Sequence, residues 1–394
     1  MHKISEKIIA FIPESSIEPE ALEQIKNTSS VPCLFKHVAV MPDTHYGKGS
    51  TVGTVLPTKG AVIPAAVGVD IGCGMIAVRT NLKKEQLGDL TVLLHSIERS
   101  IPMSAGKFNS KIYESAQKRI AELETLANET CGVAHYDAIS KNWRDQLGTL
   151  GGGNHFIEVC LDENDDVWVT LHSGSRGIGN KIGNLYIEKA RKLCEEMFIQ
   201  LPDKDLSYIP ETHIEFNNYI RDLRFAQKFA LLNREEMMDR VLKDIRFQVF
   251  GNNDAIIELE RINCHHNFTQ IENHFGENVW VTRKGAIQAK TGMRGMIPGS
   301  MGTRSYIVSG LENKMAFHSA PHGAGRRFSR TKAREQFTMQ DFDKAMLGIA
   351  HRRTEVLLDE IPEAYKNIDE VMENAKELVN ITHTLKQILN CKGD

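Results

Sequence analysis

No stretch of this chain stays apolar for the roughly 18 residues that a helix needs to cross a bilayer. The longest such run, 61–68, is short and contains Pro64, so no membrane span is expected. The opening residues, MHKISEKIIAFIPESS, alternate charged and apolar positions. They have neither the apolar core nor the small-residue cleavage site of a secretory signal, which makes the cytoplasm the expected compartment. A cysteine framework is missing too. The seven cysteines are odd in number and irregularly spaced, which fits a reducing compartment and argues against a disulfide-stapled fold. Net charge is only −3, too little to imply a general affinity for polyanions.

What is present describes an ordinary globular chain. Hydrophobic residues make up 41% and charged residues 25% of 394 positions, enough for a substantial core. The length allows two or three domains, or one large one. Residues 1–30, broken by Pro13 and Pro19, read as a peripheral segment. From His37 to Thr80 glycine, proline and β-branched residues recur too often for a helix, and short strands with tight turns are expected. Residues 84–130 read as helical, with Ile112, Ala116, Ile120, Leu123 and Leu126 at three- and four-residue intervals. Helices are also expected over 180–248, from Thr338 to Leu358 and from Asp369 to Leu389. Short strands among long helices predict an α+β fold, a single mixed domain over 1–394.

The chemistry-bearing residues recur on glycine-rich ground. In VDIGCGM, Asp70 offers a hard carboxylate and Cys73 a soft thiolate, with Gly68, Gly72 and Gly74 leaving room for close backbone approach. LGTLGGGNHFIEVCL, 147–161, is a glycine hinge running into a strand, placed so that main-chain N–H groups around Asn154 and His155 face a ligand. It is neither a Walker loop, since no Gly-Lys-Ser/Thr follows, nor a dinucleotide fingerprint, since the turn precedes the strand. VWVTLHSGSRGIGN sets His172 at the tip of a second strand. INCHHNFTQIENHF packs Cys264, His265, His266 and His274 into eleven residues, more than packing requires. Neighbouring residues of an extended segment point opposite ways, so only one of His265 and His266 is expected to be a ligand. A thiolate, several imidazoles and a carboxylate suit Zn, Mn, Fe or Co, as one ion or two.

Charge is uneven along the chain. From Val281 to Arg334 eleven Lys/Arg stand against one acid, Glu312, a local +10 in a body that carries −13, which suggests a polyanion site. Two further loops, Pro298 to Gly302 and Pro321 to Arg326, could turn N–H groups toward an anion, and the second carries His322 among small residues. A neutral imidazole there can attack phosphorus. Lys392, near the terminus, reads as frayed. A metal site beside phosphate loops points to phosphoryl or nucleotidyl transfer, or to phosphoester hydrolysis.

Several long blocks, MPDTHYGKGS, PTKGAVIPAAVGVDIGCGM, LGTLGGGNHFIE, LHSGSRGIGN, INCHHN, TRKGA, IPGSMGTRSY, HGAGR and the final Lys-Gly, appear in this order. They closely resemble the RtcB family of RNA ligases, from about Phe35 to Gly393. The resemblance implies a family-specific fold and a GTP- and Mn(II)-dependent ligase acting on RNA; a monomer is expected. It would join a 3′-phosphate or 2′,3′-cyclic phosphate end to a 5′-hydroxyl end, in RNA repair or tRNA splicing. Asp70, Cys73 and His155 would hold one ion, and Cys73, His172 and His266 the second, with His265 outside the ligand set. His322 would be the nucleophile that takes up GMP. The guanylate pocket would comprise Asn154, His155, Phe156, Ile157, Glu158, His266, Asn267, Pro298, Gly299, Ser300, Met301, Ser305, His322, Gly323, Ala324, Gly325 and Lys392. Arg176, Arg283, Lys284, Arg326 and Arg327 are expected on the RNA backbone from the charge count. Three departures stand out: Pro321 where the family usually has serine, the Asn390-Cys391-Lys392-Gly393-Asp394 ending, and Thr44-His45-Tyr46-Gly47 after Asp43. The alternatives are a metal-dependent phosphodiesterase, indifferent to GTP, and a non-catalytic RNA-binding protein that leaves RNA ends unchanged.

Overall fold

The glycine- and β-branched-rich stretch forms strands Val38–His45, Val52–Thr58, Ala61–Val62 and Gly74–Lys83, with one short helical turn, Pro64–Val67. Residues 1–251 and 255–393 are described by a computed structural model. Asp394 of the Lys-Gly-Asp ending lies outside them. The fold is α+β and is built on two sheets. The first runs, in spatial order, His2–Ser5, Ile8–Ala10, Val38–His45, Val52–Thr58, Glu277–Lys284 and Asn267–His274. The first thirty residues are its edge. Ile8, Ala10, Ile12, Ala21 and Ile25 nonetheless bury against Val38, Val40 and Leu56, so the segment carries core of its own.

The second sheet runs Glu258–His265, Gly74–Lys83, Asp166–Ser173, Phe156–Leu161, Val379–Lys392, Ser305–Gly310 and Arg294–Ile297. Its side chains alternate cleanly. Ile76, Val78, Val159, Val169 and Leu171 pack outward on Met237, Met238 and Val241 of the long helix Ile214–Phe250. Met75, Ala77, Phe156, Cys160 and Trp168 point the other way and meet Ile262, Met296, Ile307 and Leu385 from both ends of the same sheet. The sheet therefore curls on itself. Its two outer strands are bridged where Arg294 Nε donates to Glu260 at 2.6 Å. The 37-residue helix that backs it contains no glycine or proline, and Gly251, at φ 66°, ends it.

Two helical expectations fail at the C-terminal end. Residues 338–358 form only the short helix Met339–Ala345, because Gly348 at φ 81° turns the chain into a two-residue strand, Ala350–His351, and a 3₁₀ segment, Glu355–Glu360. From Asp369 to Leu389 the helix stops at Asn374 and the chain becomes the 14-residue strand Val379–Lys392. The helical spacing of Leu385, Ile388 and Leu389 comes from a bulge. The register slips between Gln387 and Leu389, so Leu385 faces the inside of the curl and Leu389 the outside. Lys392, the last residue of this central strand, is buried. Among the described residues no helix is long and apolar enough to cross a membrane.

Gly74 pairs with both neighbouring strands, opposite Ser173 and His265. A Cβ there would lie 2.1 Å from the Cys264 carbonyl oxygen. Gly74→Ala is expected to force these strands apart and to destabilise the protein by about 1–3 kcal/mol. The urea midpoint measures it, and an unchanged midpoint would contradict the described pairing.

Candidate functional site

The strands of the curled sheet alternate in direction, and one rim collects Gly74, Phe156, Ser173, His265 and Lys392 from the ends of five of them. Cys73 stands one residue before its strand, His155 one before Phe156, His172 one from the end of its strand, and His266 one beyond His265. Four donors thus meet although up to 193 sequence positions separate them. Cys73 Sγ lies 3.2 Å from His172 Nε2 and 3.5 Å from His155 Nε2. His155 Nε2 is 3.1 Å from Asp70 Oδ2, and His172 Nε2 is 2.8 Å from His266 Nε2. Two donor sets result, Asp70–Cys73–His155 and Cys73–His172–His266, with the cysteine common to both.

The far side of each ring fixes its tautomer. His155 Nδ1 faces the Leu150 carbonyl at 2.9 Å, His172 Nδ1 the Asn154 carbonyl at 3.1 Å, and His266 Nδ1 the Asn267 side-chain oxygen at 3.2 Å. His172 and His266 donate Nδ1–H outward, so the Nε2 of each turns a lone pair inward. Two such lone pairs at 2.8 Å repel unless a cation lies between them, and the donor set therefore fits metal ions. Gly174 makes the space: a Cβ there would sit 2.0 Å from Asp70 Oδ1. The glycine hinge acts here mainly through flanking carbonyls, those of Leu150 and Asn154, where the sequence suggested N–H groups.

Electrostatics favours the same reading. Burial alone would raise the Asp70 carboxyl, but the hydrogen bond and charge of His155, with Arg176 behind them, hold it at about 2. Burial and nearby imidazoles push His172 and His266 well below the usual range, which keeps them neutral and able to ligate. Burial and the Asp70 charge push the Cys73 thiol well up. Beneath the rim Arg234 is fully buried and donates to the Gly72 and Ser173 carbonyls at 2.8 and 3.0 Å. His265 lies on this side, its Nδ1 2.8 Å from Gly72 O. It stands outside both donor sets, as strand alternation requires.

Beside the donors is a cavity of about 270 Å³. Its wall takes in Asn154, Phe156, Glu158, His266, Asn267, Pro298 to Met301, His322 to Gly325 and Lys392. Three expected pocket residues lie elsewhere. Ile157 is on the opposite face of its strand, in the core. His155 faces Asp70, and Ser305 sits behind the wall, where its Oγ accepts from Gly299 N–H at 3.3 Å. The wall adds residues that the sequence did not single out: His45, Val52, Arg330, Glu360 and Tyr365. Glu360 is the hub of the far end. It pairs with Lys392 at 2.8 Å, accepts from Tyr365 Oη at 2.7 Å, and also binds Arg326 and Arg330. Burial raises Glu158 to about 8, against the charge of Lys392 and hydrogen bonds from Thr170 and Asn390.

Asp43, from the MPDTH block, was not foreseen as a site residue. It is fully buried, and its Oδ2 accepts from His322 Nδ1 at 2.6 Å, from the His322 backbone N–H at 3.1 Å and from Gly323 N–H at 3.3 Å. His322 Nδ1–H therefore donates to Asp43, and Nε2 is the ring nitrogen left free of that bond. Pro321 leaves this cradle intact, since the three donors all belong to residues 322 and 323. Of the expected RNA contacts, Arg283 is fully buried against Glu272 and Lys284 is buried in the cavity wall. Arg326 is tied to Glu360 and Arg176 lies beside His155, so only Arg327 is exposed.

A family model described as tRNA-splicing ligase RtcB matches residues 24–393. The RNA-splicing ligase RtcB of Escherichia coli K12 is 46% identical over 388 residues, covering 96% of this chain and 95% of that protein. The tRNA-splicing ligase RtcB of Nanoarchaeum equitans is 33% identical over 441 aligned residues, covering 95% of this chain and 90% of the relative.

Because the Cys73 thiol carries its proton near neutrality, loading the centre should release one proton, while Asp70, His172 and His266 stay in their ligating forms. Apparent affinity for a divalent ion is expected to rise about tenfold per pH unit. Titration calorimetry in buffers of different ionisation enthalpy reads the proton directly. Cys73→Ser should weaken binding and flatten the slope.

Proposed function

This chain belongs to the RtcB family of RNA-splicing ligases, and on that premise we propose that it seals RNA by guanylyl transfer through His322. In this reading it is GTP- and Mn(II)-dependent. It joins a 3′-phosphate or 2′,3′-cyclic phosphate end to a 5′-hydroxyl end. The observation that carries the reading is the Asp43–His322 hydrogen bond, which holds the imidazole at the wall of a cavity bordered by the metal donors.

Divalent ions held by Asp70, Cys73, His155, His172 and His266 would neutralise phosphate charge at the reacting centre. His322 Nε2 attacks the α-phosphorus of GTP, the N–P bond forms as pyrophosphate leaves, and Asp43 stabilises the positive charge that develops on the ring. An oxygen of the RNA 3′-phosphate then displaces the imidazole and carries GMP away. The 5′-hydroxyl oxygen attacks the RNA phosphorus, loses its proton, and GMP departs. A cyclic end must first be opened by water to the 3′-phosphate. Phe156 and Tyr365 offer aromatic surface for a purine. The Lys392 ammonium offers a donor for guanine O6, and the Glu158 carboxyl an acceptor for its N1–H or N2–H group. All seven cysteines are free thiols, consistent with a reducing cytoplasm as the site of action.

Incubation with α-labelled GTP and Mn(II) is expected to leave label on the denatured chain as an acid-labile, alkali-stable adduct, absent in His322→Ala. Asp43→Asn should slow adduct formation by about 100-fold or more, as loss of an imidazole-orienting carboxylate does elsewhere. No adduct in a metal-loaded protein would shift the reading to phosphodiester hydrolysis.

A further inference from the structure

Away from the rim, a second group of metal-ligating side chains converges where the two sheets meet. Glu272 and His274 project from the same face of Asn267–His274, and His318 reaches them from the chain just before Ser319–Pro321. One donor atom from each lies within 4.8 Å of the others. His274 Nε2 is 3.0 Å from Glu272 Oε2, and the His274 and His318 rings lie 4.5 Å apart between centroids. Glu272 and His274 are buried and His318 is half-buried. Glu312 stands at the rim, its Oε1 3.9 Å from His318 Nδ1.

A hydrogen-bonded Glu–His pair needs no second histidine, and here the second one is held at a cost. Phe317 and His318 are consecutive non-glycine residues in the left-handed region, at φ 48° and 52°, a conformation that glycine adopts without penalty. Arg283 grips the corner, donating to the Phe317 carbonyl at 2.9 Å and to Ser319 Oγ at 2.8 Å. The same guanidinium covers one edge of Glu272, and Gln270 donates to Oε1 at 2.9 Å. On the remaining side Oε2 faces His274, and there a cation can replace the imidazole proton while the Arg283 pair stays in place. The two carboxylates offset Arg283 and the nearby Lys290, so an ion would enter a neighbourhood of roughly zero formal charge. The Asp222–His135 group, by contrast, lacks such a side. At Asp222, Arg221 and two tyrosines donate to the carboxylate, and Arg221 also lies 3.4 Å from His135 Nε2.

We propose that Glu272, His274 and His318, with Glu312 as the outer ligand, form a cation site separate from the Cys73 centre. Two imidazoles and two carboxylates suit a borderline divalent ion such as Zn(II). Tetrahedral bonds of the usual length place ligand atoms roughly 3.3 Å apart, so a small closing movement completes the site. The ion would pin the Phe317–His318 corner, from which the three-residue strand Ser319–Pro321 leads directly to His322. The proposal does not depend on the ligase reading.

Crystals of the full chain soaked in Zn(II), measured at the zinc absorption edge, test it. The expected result is an anomalous peak between Glu272, His274 and His318. His318→Gly, which removes a ligand and relieves the left-handed strain, should abolish that peak and lower bound zinc by one equivalent per chain, with zinc at Cys73 retained. A wild-type crystal loaded at Cys73 but empty at His318 overturns the proposal. So does a peak that survives His318→Gly.

Discussion

Cys73 Sγ stands within 3.5 Å of two imidazole nitrogens carried by different strands, and much of the architecture follows from holding it there. One sulfur can serve two donor sets only if the strand ends that bring His155, His172 and His266 reach the same rim. The curled sheet supplies this, since neighbouring antiparallel strands begin and end at one edge. Arg234 then ties the Gly72 and Ser173 carbonyls together from below. Gly74 and Gly174 are glycines because main chain and carboxylate already occupy the space of a side chain.

The cavity beside the donors borrows from both sheets. Phe156, Glu158 and Lys392 come from the curled sheet, Asp43 and Lys284 from the other, and the short ribbon of Ala286–Gln288 with Ser319–Pro321 delivers His322 between them. Asp43 therefore orients His322 from the first sheet, whereas Cys73, His155, His172 and His266 gather at the rim of the curled sheet. The imidazoles of His266 and His322 meet at 4.7 Å between centroids, where the two groups adjoin.

Charge is organised quite differently in space than along the chain. The +10 segment is neutralised in part by acids from elsewhere: Arg283 pairs with Glu272, Arg294 with Glu260, Arg326 and Arg330 with Glu360, and Arg334 with Asp359. A desolvated guanidinium needs a carboxylate near it, and Glu360 supplies one to the same cluster that holds Lys392. The local excess of arginine in the sequence thus reflects pairing with distant acids, buried at Arg283 and solvent-exposed at Arg334, as well as a basic face.

The α+β class, the strands from His37 to Thr80, the long helices over 180–248 and every metal-ligating residue type could be read from the chain alone, because glycine density, hydrophobic period and donor chemistry are local properties. So could the guess that only one of His265 and His266 faces the donors. The C-terminal strand was hidden because the bulge between Gln387 and Leu389 gives a β-strand the apolar spacing of a helix. Asp43, Glu360 and Tyr365 had no local mark, since a lone aspartate, glutamate or tyrosine acquires a role only through the side chain it meets. The burial of Arg283 and of Lys392 was equally invisible. Sequence determines which groups are available and what each strand or helix can bury. Only tertiary structure decides which charges are desolvated and paired, because that depends on distances between residues far apart in the chain.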